Sequence, residues 1–137
     1  MQKSQKGFTL VELVVVIVLL GILGVTALGK FQDLSADATT AANSGIASEM
    51  ASASSINYAA SIIGTAAFDI DSGTACDETN ADIVLLFASD TFPGGHQLAD
   101  TAPANACTAA GDTMSCLVSA TSGVGVAATA TLTCSGG

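Results

Sequence analysis

The chain has 137 residues, room for one domain, and sets 12 acidic side chains against 3 basic ones for a net charge of −9. Ala, Gly, Ser and Thr fill 68 positions, Trp is absent and only 4% of residues are aromatic. Three cations cannot neutralise a phosphate backbone or form a polybasic membrane patch, which excludes sequence-independent nucleic-acid binding and electrostatic membrane association. One histidine and no dense polar cluster leave no basis for a self-contained hydrolase.

Residues 1–7 are polar and hold Lys3 and Lys6. Phe8 through Gly29 then give 22 residues with one ionisable side chain, Glu12. As a helix this stretch spans about 33 Å, the thickness of a bilayer's hydrocarbon core. The basic residues ahead of it predict residue 1 in the cytoplasm and everything after Lys30 outside. A cleaved secretory signal would have a shorter apolar core and a small-residue cut site, and Val25-Thr26-Ala27 is a poor one. A plain anchor fits the hydropathy but leaves Glu12 unexplained. A carboxylate in an apolar span costs on the order of 3 kcal/mol at mid-membrane, less near the edge, and flags a function.

Gly7-Phe8-Thr9-Leu10-Val11-Glu12, after a short basic leader and before a long Val/Leu/Ile run, resembles the class III signal of type IV prepilins and pseudopilins. The resemblance implies a leader of residues 1–7, removed by a membrane-embedded peptidase that cuts after Gly7 and methylates the new amino terminus at Phe8. Residues 6–38 look most like mannose-sensitive-haemagglutinin-type pilins. Many of those relatives have proline where this chain has Gly29, so a local helix break is plausible there but less forced.

From Phe31 the pattern turns amphipathic. Leu34, Ala38, Ala42, Ile46, Met50, Ala53, Ile56, Ala60 and Ile63 recur at helical steps, with Asp33, Asp37, Thr40, Asn43, Ser44, Glu49 and Ser55 between them. One long helix over residues 8–63 is expected: 8–29 as membrane span and filament core, 30–63 as an amphipathic continuation that Gly64 stops.

Residues 64–137 must then supply a globular head that covers one face of that continuation. Ile83–Phe87 reads as a β-prone run, with a short helix the alternative. Met114, Cys116, Val118 and Ala120 alternate, as do Val124, Val126, Ala128, Ala130, Leu132 and Cys134, and Ser122-Gly123-Val124-Gly125 between them predicts a hairpin. Segments 69–82 and 93–113 read as loops. The fold expected is α+β: a long amino-terminal helix with a small antiparallel sheet, the type IV pilin arrangement.

Cys76, Cys107, Cys116 and Cys134 all fall on the external side and predict two disulfides in a head poor in large side chains. Of three possible pairings, a short hairpin favours Cys116–Cys134 and leaves Cys76–Cys107; Cys107–Cys116 is the main rival. A zinc site is not expected, because no C-x-x-C occurs and His96 follows Pro93-Gly94-Gly95 in a loop. Asp69, Asp71, Asp77, Glu78 and Asp82 read as a solvated acidic loop, since Asp69-Ile70-Asp71-Ser72-Gly73 lacks the later ligands of a hand-type calcium loop. No cofactor or metal is expected. Gly21 and Gly24 are read as helix-packing positions.

The chain is expected to be the major subunit of a type IV pilus. Held in the inner membrane by its helix, it would be processed by prepilin peptidase, handled by the pilus assembly machinery, and polymerised with its own copies. The surface filament would serve adhesion, biofilm formation or motility, as the resemblance implies. The alternatives are a type II secretion pseudopilin and a minor or tip adhesive pilin. Once residues 1–7 are removed, Lys30 is the one side-chain cation left beside 12 acids. Glu12 then finds at its depth only the freed Phe8 amine of a neighbouring copy, a contact suited to fixing register between subunits.

Overall fold

The computed structural model describes residues 7–71, 73–101 and 107–136. Lys3, Lys6 and the rest of the leader up to residue 6 lie outside the described residues. The elements in order are helix α1 (Leu10–Ile62), a one-turn helix α2 (Ala81–Val84), and strands β1 (His96–Asp100), β2 (Thr113–Ala120) and β3 (Ala128–Thr133). The chain divides into two units, residues 1–35 and 36–137.

In the first unit α1 is apolar on every side, and each large side chain from Phe8 to Leu34 is exposed. The helix passes Gly29 without a break. A helical glycine costs backbone entropy but keeps its N–H, whereas proline would delete a hydrogen bond and clash with the preceding turn.

The second unit is an α+β head. Its three strands form one antiparallel sheet in the order β1-β2-β3, with Cys116 opposite Ala130 and Thr113 opposite Thr133. Alternation sends Met114, Cys116 and Val118 of β2, and Ala130 and Leu132 of β3, into the core, while Thr129 and Thr131 face outward. They meet Ile46, Ala47 and Met50 of α1 together with Ile70, Ile83, Leu86 and Phe87. Phe87 and Phe92 pack edge to face at 5.4 Å, an arrangement that ring quadrupoles favour.

Four expectations need correction. The face of α1 that the head covers carries Asn43, Ile46, Ala47, Met50, Ser54 and Asn57; Leu34, Ala38, Ala42, Ile56 and Ile63 stay exposed. Short polar side chains win those places because strand and loop ends offer backbone groups that need partners. Asn57 donates to Phe68 O and accepts from Phe68 N, both at 2.8 Å, Ser54 Oγ accepts Thr133 N at 3.0 Å, and Asn43 donates to Val126 O at 2.8 Å.

The Ile83–Phe87 run is not a strand. Asn80 caps α2 by accepting Asp82 N at 2.9 Å and Ile83 N at 3.4 Å, and Ile83 reaches the core from α2 while Leu86 and Phe87 reach it from the turn that follows. Within the expected loop 93–113, residues 96–100 form β1. Only Leu98 of that strand is buried, so no alternation marks it, and His96 is a half-buried strand residue instead of an exposed loop side chain.

The disulfides are Cys76–Cys116 and Cys107–Cys134, with Cα separations of 5.5 and 5.6 Å, in place of Cys116–Cys134 and Cys76–Cys107. The register is the reason. Thr121–Ala127 makes a seven-residue connection, longer than the four or five that a Cys116–Cys134 bridge required. Cys134 therefore lies opposite Asp112, to whose carbonyl its N–H donates at 2.9 Å. Four residues of strand, about 13 Å, separate that position from Cys116, too far for a bridge.

Candidate functional site

Gly7, Phe8 and Glu12 sit where α1 begins, in the first unit. Thr9 caps the helix. Its Oγ1 accepts Glu12 N at 3.3 Å, while Glu12 Oε2 turns back to accept Thr9 N and Thr9 Oγ1, each at 3.1 Å. This is a reciprocal capping box, in which a Thr and a Glu three positions on satisfy one another's backbone donors at the first turn. The carboxylate also lies at the positive end of the helix dipole. Glu12 is thus held by its own chain, and these contacts offset part of the cost of a carboxylate at the head of an apolar span. Sequence reasoning passed over Thr9, although the spacing Thr9-Leu10-Val11-Glu12 carried the signal.

Gly7 is exposed, and a Cβ built on it meets nothing within 4 Å. The fold therefore places no demand for glycine at this position. Gly21 and Gly24 are equally open within the helix, and nothing in the first unit packs on them. Phe8 is 88% exposed.

Residues 2–28 match the prokaryotic N-terminal methylation motif. The chain carries the signal of a type IV pilin-like prepilin. A long apolar amino-terminal helix with a three-stranded antiparallel sheet matches the type IV pilin fold, in keeping with that signal. The prepilin motif implies processing by prepilin peptidase and assembly into filaments, and α1 fits an inner-membrane anchor. No curated protein and no solved structure matches the chain.

The remaining candidates serve the prepilin's head. All four cysteines are buried there, closing loops of 40 and 27 residues, each worth roughly 3–4 kcal/mol on chain-entropy grounds. Of the acidic residues in 69–82, Asp71, Asp77 and Glu78 accept hydrogen bonds from the chain itself. Asp71 takes Gly73 N at 2.7 Å, and Glu78 reaches across to Leu98 N on the outer edge of β1 at 3.2 Å. Asp77 lies below its ordinary value of 3.8, chiefly because the Thr79 hydroxyl donates to it and then because Thr79 N does. Asp112 is lowered likewise by the Thr108 hydroxyl first and by Ala109 N next, and so fastens the turn beside Cys107.

Proposed function

We propose that this chain is the major subunit of a type IV pilus. One observation carries the reading: fifteen large apolar side chains from Phe8 to Leu28 are exposed on a stretch of α1 whose one acid, Glu12, is held in the capping box at its first turn. At about 2 kcal/mol each, their burial is worth on the order of 30 kcal/mol, several times the stability of an ordinary domain. Such a surface requires cover. A bilayer provides it first, with the amino terminus cytoplasmic, and copies of the same helix provide it afterwards.

In this account residues 1–7 form the leader, Gly7 is glycine because the peptidase requires it, and cleavage frees an amine that becomes methylated at Phe8. Glu12, preset by Thr9, then receives the Phe8 ammonium of a neighbouring copy. The pair lies among apolar helices, where it fixes register more than it adds stability. A major subunit of the mannose-sensitive-haemagglutinin type is the finer identity that residues 6–38 support by resemblance.

Intact-mass and amino-terminal analysis of protein sheared from cell surfaces tests the reading. A chain beginning at Phe8 with one added methyl, abundant in long fibres, is expected. Retention of Met1, or a terminus after Ala27, contradicts it; correctly processed protein confined to the periplasm points to a pseudopilin.

A further inference from the structure

Among the described residues, two uncharged surfaces of the head present exposed apolar side chains, and they lie at opposite ends of the helix segment that the head packs on. The first is a groove of about 270 Å³ whose walls include Ile56 and Ala60 of α1, Phe68 and Leu85. Ile56 is 70% exposed, and Phe68 and Leu85 are more than a third exposed. The second is the β2–β3 loop, where Val124 and Val126 stand 42% and 68% exposed.

That loop is clamped. Val126 N donates to Thr40 Oγ1 at 2.9 Å, Asn43 donates to Val126 O, and Gly125 sits at φ +83° against α1. A Cβ there would lie 3.0 Å from both Thr39 Cβ and Thr40 N, so only glycine permits the approach. A loop held this firmly, yet turning two valines to water, is preorganised for a contact.

Resting on the filament reading, we infer that the β2–β3 loop of one copy seats in the Ile56–Phe68–Leu85 groove of another. Charge selects the occupant. With 12 acids and Lys30 as the one side-chain cation after leader removal, most pairs of surfaces on two copies repel. The residues that line the groove and the loop Thr121–Ala127 are all uncharged, so these surfaces can meet without that penalty. The two surfaces differ, which makes the contact heterologous, and a heterologous contact that does not close on itself generates an open helical array. From Thr40 to Ile56 is 16 helical residues, so parallel copies joined this way are displaced by about 24 Å along the helix.

A charge swap in the full-length chain tests the contact. Val126→Glu and Ile56→Lys both alter exposed side chains and leave the subunit folded, with wild-type amounts in the membrane pool. Each alone places an unpaired charge in an apolar contact and lowers the yield of sheared filaments by at least about tenfold. The double variant, with Lys facing Glu, restores the yield to within about threefold of wild type. Singles that assemble normally, or a double variant that stays as poor as the singles, overturn the contact. Wild-type cells without filaments would instead overturn the pilus reading itself.

Discussion

The two stretches of α1 solve the same problem by different means. Between Asn43 and Asn57 the helix meets a head that covers one face, and it meets it through polar anchors as much as through Ile46 and Met50. Between Phe8 and Leu34 the large apolar side chains are exposed, and the charges lie only toward the two ends, Glu12 in the Thr9–Glu12 box at the tip and Lys30 with Asp33 at the other. A helix that makes specific bonds to its own head is fixed in place. One that offers a uniform apolar surface can exchange lipid for neighbouring helices without losing a directional contact. Within residues 8–29 Glu12 is the one charged side chain, the mark that the proposed register contact would use.

Breaking the mark has the largest expected effect. Glu12→Val is still cut after Gly7 and still accumulates in the membrane, but filaments on cells fall severely, as counted by electron microscopy; normal fibre length and number would remove the register role of this carboxylate. Next, Met50→Ala opens a cavity in the fully buried core and costs about 3 kcal/mol. For a head of this size that lowers the melting temperature by roughly 15 °C. Val18→Ala, on the other stretch of the helix, leaves the same thermal transition in place, and a comparable loss there would erase the contrast between the two stretches.

A smaller loss follows from Asn57→Ala, which strands Phe68 N while Phe68 O keeps the Ser135 hydroxyl, and costs about 1–3 kcal/mol in the same melt. The smallest effect concerns acid. Asp77 and Asp112 are lowered in the folded head, so they stabilise it above the ordinary carboxylate value of 3.8, and that contribution fades as pH falls through their lowered values. Melting temperature should decline between about pH 5 and pH 2, and Asp112→Asn should make that slope shallower.

How legible each region was follows from the kind of information its residues carry. The apolar span, the prepilin signal and the alternation of β2 and β3 were readable because one rule of spacing governs each. The face of α1 under the head was not. Asn43, Ser54 and Asn57 look like solvent-facing residues until the backbone ends they serve are in place. The cysteine pairing failed for a related reason: register depends on connection length, and Ser122-Gly123-Val124-Gly125 marks a turn without saying where the strands resume. β1 went unseen because Leu98 alone of its five residues is buried. The capping role of Thr9 is legible from spacing alone, since its hydroxyl stands three residues before the Glu12 carboxylate.

The central claim is that the surface from Phe8 to Leu34 is covered by other copies of itself. Photo-crosslinking answers this in shear-purified filaments carrying a photoreactive phenylalanine analogue at Val18. The account predicts a ladder of covalent oligomers, with crosslinked peptides that map to residues 8–34 of neighbouring chains. Filaments that yield only monomer on illumination, or crosslinks confined to the head of the same chain, would contradict it.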